Sequence, residues 1–296
     1  MAESTRVKAK EFARGLSPAL MGAFDKDLPL RGVLDACVLA GCDIRLREDE
    51  VHAYHDGNRV AGLSLRGSTP RLEVHRKYLV DGIRHAKGAG RYVHLEVGAA
   101  FVEVWRDAVA EVIKKAKGTR RNPEGEWEHR LIRANGASKP VQILDRQVQL
   151  PGLKNHRLDL LGVVHREPGR TEIVAIELKQ ALNNDIQDVA RQLARYVTML
   201  QEDHGGLKRD IAAAYQTVAR QMRYLGLDAA ATADIAAGMP VRGLVVLAAY
   251  NDRSELLDRA RRAASKVPLP LYYTILAKTT ELPAAELWLP LTMDDR

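Results

Sequence analysis

A glutamate and a lysine that share one face of a predicted strand are the first sign of chemistry in this sequence. The segment Ile173–Gln180 reads IVAIELKQ, which is apolar except near its end. Because side chains alternate along a β-strand, Glu177 and Lys179 project from the same face. On the preceding predicted strand, Asp159 interrupts an apolar run, where a charge is costly unless another group pairs with it or coordinates it. These three residues are therefore candidates for a catalytic or metal-binding site.

Asp159 and Glu177 would lie close together if their two strands form a hairpin, which the turn residues between Glu167 and Arg170 predict. Two carboxylates held together repel each other unless a cation lies between them. With the backbone carbonyl of Leu178, they would offer oxygen ligands suited to Mg²⁺ or Mn²⁺. Glu128, on a predicted helix upstream, could complete a second metal position. The alternative is an exposed Glu177–Lys179 ion pair, with Asp159 as an ordinary residue at the end of a strand.

The helix predicted after Lys179 carries two polar residues one turn apart, Gln192 and Tyr196. They flank an apolar stripe, and a helix can point polar groups at a neighbouring site from that position. They would orient a nucleic-acid backbone or Lys179. The alternative is that they are boundary residues of a buried helix face.

With these residues in place, the chain from about residue 124 to 250 resembles the PD-(D/E)XK nuclease superfamily, and specifically its RecB-like branch with a Gln-x-x-x-Tyr motif. The resemblance rests on Glu128 in the first helix, Asp159 in the second strand, Glu177-Leu178-Lys179 in the third, and Gln192 to Tyr196 in the next helix. Leu158 stands where the motif has its proline. The resemblance implies a restriction-endonuclease-like core and hydrolysis of phosphodiester bonds to a 5′-phosphate and a 3′-hydroxyl.

The order of predicted elements indicates an α/β protein with two domains, 1–118 and 119–296, joined near 118–125. The first is a smaller α+β domain with four short strands, a tight turn at Asp56-Gly57-Asn58 and an amphipathic helix over 100–117. The second has the order helix, three strands, helix, strand, with a mixed central sheet flanked by helices. Its predicted helices cover 126–135, 184–202, 207–224 and 254–265, and its strands cover 141–150, 156–165, 172–180, 243–249 and 271–277, with an extended piece at 287–291.

Charge favours an anionic partner, since the 296-residue chain has a formal net charge of +7. The densest basic run consists of Lys114, Lys115, Lys117, Arg120 and Arg121. This run is a candidate nucleic-acid contact, and its alternative is a solvated helix end. We expect DNA as the partner, with RNA left open, and a role in DNA contact or homodimer formation for the first domain. No membrane span or signal peptide is predicted, which favours the cytoplasm.

The function that these observations favour is a Mg²⁺- or Mn²⁺-dependent deoxyribonuclease, acting in defence or repair. One alternative is a catalytically inactive nucleic-acid-binding module on a nuclease fold. Another is an unrelated α/β binding protein in which the same residues form surface ion pairs. The sequence leaves open single- or double-stranded substrate and endo- or exonucleolytic cleavage.

Overall fold

The computed structural model describes residues 12–119, 123–136, 138–153, 157–167, 170–180, 186–203, 206–227, 236, 238–250, 255–265, 267, 269, 271–276 and 279–291. The helices in these ranges are α1 (Pro18–Gly22), α2 (Pro29–Leu39), α3 (Ala99–Thr119), α4 (Pro123–Ala134), α5 (Ile186–Gln201), α6 (Leu207–Tyr224) and α7 (Leu256–Ala264). The strands are β1 (Asp43–Leu46), β2 (Val51–His55), β3 (Asn58–Arg66), β4 (Thr69–His75), β5 (Tyr92–Glu96), β6 (Val141–Val148), β7 (Leu158–Glu167), β8 (Arg170–Gln180), β9 (Val241–Ala248), β10 (Leu271–Leu276) and β11 (Leu289–Pro290). The predicted α/β class is confirmed at this level.

Contacts between residues divide the chain into two compact units. One contains the described residues of Arg14–Ala137 and Tyr215–Thr232, and the other contains those of Met1–Ala13, Ser138–Ala214 and Ala233–Arg296. Helix α4 lies in the first of these units, and the predicted domain boundary at 118/119 stays a prediction. The boundary between the two units also falls within α6, after Ala214.

The first unit is built on a five-stranded antiparallel sheet in the order β1-β2-β3-β4-β5. Helices α2 and α3 pack on each other and supply apolar side chains to its core, among them the fully buried Trp105. The helix predicted over 100–117 is confirmed. Strand β5 and the short helix α1 were not predicted.

The turn between β2 and β3 explains why α4 joins this unit. His55 pairs with Asn58, and the two residues between them have positive φ angles of 44° at Asp56 and 76° at Gly57, as the predicted tight turn requires. A Cβ atom on Gly57 would lie 2.4 Å from the backbone carbon of Gly125, near the start of α4. The bare backbone of this turn therefore lets α4 pack directly on it.

The second unit contains a six-stranded mixed sheet in the order β11-β10-β9-β8-β7-β6. Strands β6, β7 and β8 form an antiparallel meander, and β9 and β10 then run parallel to β8. Parallel neighbours require a crossover connection, and α5 packs against β8 and β9. In the described part of the chain, no helix combines the length and apolar character needed to cross a bilayer.

Candidate active site

The candidate site lies where β7 and β8 stop pairing with each other. Their ladder ends at Leu160 and Ile176, so continuing the same register places Asp159 opposite Glu177. Residues directly opposite each other on antiparallel strands project from the same face of the sheet. The hairpin predicted for these strands is confirmed, and it brings Asp159 and Glu177 together.

The Asp159 carboxylate is held by donors from the strands on both sides of β7. Its Oδ2 accepts a hydrogen bond from the backbone N–H of Leu178 on β8, at 2.9 Å. Its Oδ1 lies 3.5 Å from the side-chain Nε2 of Gln147, near the end of β6. Because both oxygens have a donor, the half-buried carboxylate has a defined orientation.

Glu177 has an environment that disfavours its negative charge. Its side chain is buried, with only 3% of the residue exposed. Burial raises the pKa of Glu177 well above its ordinary value, and the neighbouring charge of Asp159 raises it further, while Lys179 opposes both effects. Glu177 therefore holds its proton more tightly than an isolated glutamic acid would.

Lys179 follows two residues after Glu177 on β8, and the predicted arrangement on one face of the strand is confirmed by the distance between the two charges. The Lys179 Nζ lies 3.6 Å from the Glu177 Oε2. Both side chains are buried, so this is not the exposed ion pair of the alternative interpretation. A buried ammonium beside two carboxylates can hold a water molecule or neutralise charge that develops on a phosphate.

Tyr196 on α5 lies close enough to Glu177 and Asp159 for their charges to affect the pKa of its phenol. It is 2% exposed. Burial raises the pKa of the Tyr196 phenol, and the charges of Glu177 and Asp159 raise it further. The phenol therefore stays protonated and is able to donate a hydrogen bond. Gln192 lies one turn earlier on α5 and is half-buried, and its role in the site stays a prediction.

Gln147 is a site residue that the sequence alone does not reveal. Nothing in the run QILDRQVQ distinguishes it from the glutamines at 142 and 149. Its proximity to Asp159 depends on the register of β6 against β7. A bulge of one residue in β6 shifts that register. Its only unusual feature, a φ of +50°, is visible in the structure and not in the sequence.

Two other predicted groups lie in the unit of the five-stranded sheet. Glu128 is buried on α4 in that unit, and its role as a metal ligand stays a prediction. Within the basic run, the Lys115 Nζ donates to the backbone oxygen of Leu79 at 2.6 Å, and the Lys117 Nζ pairs with Asp56 at 2.8 Å. Arg120 and Arg121 lie outside the described residues.

Lys114 is the remaining member of the basic run, and its side chain is exposed on α3. It lines a surface cleft of about 360 Å³ together with Lys115 and Glu111. Since Lys115 and Lys117 already have partners in the protein, a nucleic-acid contact by the described members of this run would have to compete with those partners or use Lys114.

The donor set on β7 and β8 fits a small divalent cation. Among the residues that the structure describes, no group of three or more His, Cys, Asp or Glu side chains could hold a metal ion. Mg²⁺ is nevertheless bound in many proteins through one or two carboxylates, with waters and substrate phosphates as its other ligands. Asp159 and Glu177 provide such a pair, and a cation between them would offset both the burial of the Glu177 charge and its repulsion by Asp159, which together raise the pKa of Glu177.

Comparisons of the chain with protein-family models, curated proteins and solved structures find no match in any of the three. The resemblance to PD-(D/E)XK nucleases therefore stays a prediction from residues and their order.

Proposed function

We propose that this protein is a metal-dependent nuclease that hydrolyses phosphodiester bonds, with DNA as the favoured substrate. The observation that carries the proposal is the meeting of two carboxylates and a buried lysine at one end of the β7–β8 hairpin. This arrangement is expected for a site that binds a cation and a phosphate together. The net charge of +7 supports a polyanionic substrate.

The proposed fold is that of a restriction-endonuclease-like core. It is supported by the order α4, β6, β7, β8, α5 and β9, and by the mixed sheet in which β6 to β8 are antiparallel and β9 is parallel to β8. Two features depart from a minimal core: α6 intervenes before β9, and α4 clusters with the other unit.

In this proposal Asp159 and Glu177 would hold Mg²⁺ or Mn²⁺, with the Leu178 carbonyl as a further oxygen ligand. When bound, the metal would polarise the scissile phosphate and lower the pKa of a coordinated water. Lys179 would orient the attacking water or neutralise the charge that develops on the phosphate. Its burial beside Glu177 keeps the ammonium in place, so little reorganisation is needed during the reaction.

Tyr196 would act as a permanent hydrogen-bond donor in this site. Because the pKa of its phenol is raised, Tyr196 carries no negative charge that would repel a phosphate. It can therefore position the substrate backbone or Lys179, with Gln192 as its neighbour on α5. The run containing Lys114, Lys115, Lys117, Arg120 and Arg121 would contact phosphates of the substrate.

The test is a single-turnover cleavage assay with labelled single-stranded DNA, double-stranded DNA and RNA, each with Mg²⁺ and with a chelator. We expect metal-dependent cleavage of DNA, and a loss of at least about a hundredfold in Lys179→Met, since a preorganised charge at the reacting phosphate is worth that much. Lys139→Met is the matched control, because Lys139 pairs with Glu281 at an exposed position.

Either of two results would overturn the proposal. One is an absence of cleavage of all three substrates with Mg²⁺ and with Mn²⁺. The other is full activity of Lys179→Met. Metal-independent binding of DNA without cleavage would instead favour the inactive nucleic-acid-binding module.

A further inference from the structure

Gln147 has a backbone conformation that its residue type rarely adopts. Its φ is +50°, in the left-handed region, where the Cβ of an L-residue crowds the following carbonyl. Glycine, asparagine and aspartate tolerate this conformation more readily than glutamine does. Such a conformation persists only where the surrounding structure enforces it, and residues of this kind cluster at functional sites.

The register of β6 places Gln147 opposite Asp159. Ile143 pairs with Gly162 and Asp145 pairs with Leu161, so Leu144 is an extra residue in the β6 strand. If Leu144 were paired and no bulge formed, the initial register would place Gln147 opposite Leu158 instead. The bulge and the left-handed backbone therefore act on the same short segment, and together they bring the Gln147 amide to the Asp159 carboxylate.

The resulting contact completes the support of Asp159. The Gln147 Nε2 lies 3.5 Å from one carboxylate oxygen, and the Leu178 N–H donates to the other at 2.9 Å. The first donor comes from β6 and the second from β8, so Asp159 is braced by both neighbouring strands. The amide of Gln147 is neutral, so it can orient the carboxylate without adding a positive charge that would compete with a cation.

We propose that Gln147 is a positioning residue that orients the Asp159 carboxylate for binding a divalent cation, an inference that rests on the proposed function. Partners that orient a metal ligand reduce the rotational freedom that the ligand loses on binding. Removing such a partner commonly weakens metal affinity by about ten- to a hundredfold. The bulge in β6 and the left-handed backbone of Gln147 thus serve the metal site and not the stability of the sheet.

The experiment uses the full chain and Mn²⁺ as the probe, and it measures metal affinity by isothermal titration calorimetry and Tm by thermal unfolding. Gln147→Gly removes the amide and suits the left-handed backbone. We expect its affinity for Mn²⁺ to be about tenfold weaker, with a Tm equal to or above that of the parent. Ala249→Gly is the matched control, because Ala249 has a φ of +51° and an exposed side chain.

The two measurements separate failure of this inference from failure of the proposed function. If the parent binds Mn²⁺ and Gln147→Gly binds it equally well, Gln147 does not position Asp159. A Tm that falls together with the affinity would make Gln147 a purely structural residue, and equal weakening by Ala249→Gly would assign the effect to the backbone. All three results overturn the inference alone. A parent protein that binds no Mn²⁺ overturns the metal-dependent function on which it rests.

Discussion

Strand β8 carries two buried glutamates near its opposite ends, Glu172 and Glu177. Positive groups predominate around Glu172, whereas Glu177 has a second carboxylate beside it. At the first end, Glu172 is 1% exposed and forms an ion pair with Arg242 on β9. Arg170 lies 3.6 Å away as a second cation. The Arg242 guanidinium also lies over the ring of Tyr272, at 4.9 Å from its centroid. One carboxylate therefore meets two positive groups, and one of these groups also lies over an aromatic ring.

At the other end of β8, the balance of charge is reversed. Glu177 is buried to a similar extent, but its neighbours are the carboxylate of Asp159 and the ammonium of Lys179. This end of the strand therefore has two carboxylates and one ammonium group, that of Lys179. A buried charge is tolerated when it is paired, and the first end satisfies that condition within the protein. The second end would satisfy it by holding a proton or a divalent cation, which distinguishes a structural ion pair from a candidate reaction site.

The largest expected difference between the two ends is in catalysis. Glu177→Gln should lower the rate of metal-dependent DNA cleavage by at least about a hundredfold, because it removes a metal ligand. Glu172→Gln should keep the rate of the parent per folded molecule, since its partner Arg242 lies at the opposite end of the strand pair. Single-turnover rates measure both variants. Equal losses of cleavage rate in the two variants would show that the Glu177 end of β8 has no particular role in catalysis.

The loss of stability should be larger for Glu172→Gln than for Glu177→Gln, which is the reverse of the order expected for catalysis. Glu172→Gln leaves Arg242 with a side chain that is only 15% exposed and without its main carboxylate partner. Breaking a buried ion pair from one side costs about 3–5 kcal/mol, and we expect the lower part of that range because Arg242 keeps some solvent contact. Urea unfolding measures the loss. Arg170→Gln is the control and should cost under about 1 kcal/mol, since Arg170 is mostly exposed.

Glu177→Gln should instead stabilise the metal-free protein above the pKa that Glu177 has in the folded state. That pKa is raised, so the folded state binds the proton more tightly than the unfolded state. The stabilisation from the proton is complete below the unfolded pKa near 4.5, and it is lost as the pH rises through the folded pKa. Each unit of difference between the folded and unfolded pKa changes the free energy of unfolding by about 1.4 kcal/mol.

The measurement is the free energy of unfolding between pH 4 and pH 9 in the presence of a chelator. The parent should lose stability as the pH rises from the unfolded pKa to the folded one, and Glu177→Gln should lack this loss. Identical pH profiles for the two proteins would contradict the raised pKa of Glu177, which burial and then the charge of Asp159 cause.

The smallest expected effects come from the helix beside the site. Tyr196→Phe removes a donor while keeping the buried ring, and Gln192→Ala removes an amide one turn away. We expect each to slow single-turnover cleavage by about tenfold, which corresponds to about 1.5 kcal/mol, the lower end of the range for one hydrogen bond to a charged group. Unchanged rates in both variants would make α5 structural at these positions.

Much of the fold was predictable because local patterns agree with it. The hairpin turn at Asp56 and Gly57, the bounds of α6 and the order of strands β6 to β9 all follow from turn residues and hydrophobic periodicity. The division into units was not predictable in the same way. In the structure α4 lies in the first unit, where Gly125 packs closely on Gly57. These two residues are far apart in sequence, so no local pattern reveals their contact.

By itself, the sequence determined which residues of the site share a face of β8, because the alternation of a strand is local and places Glu177 beside Lys179. It also determined that Asp159 lies on the partner strand, through the predicted hairpin. Only the tertiary structure decided how Asp159 is held, since Gln147 reaches it through a bulge at Leu144 and a left-handed backbone. Strand register is a property of paired strands, so one inserted residue changes the neighbour of a side chain without leaving a local sequence pattern.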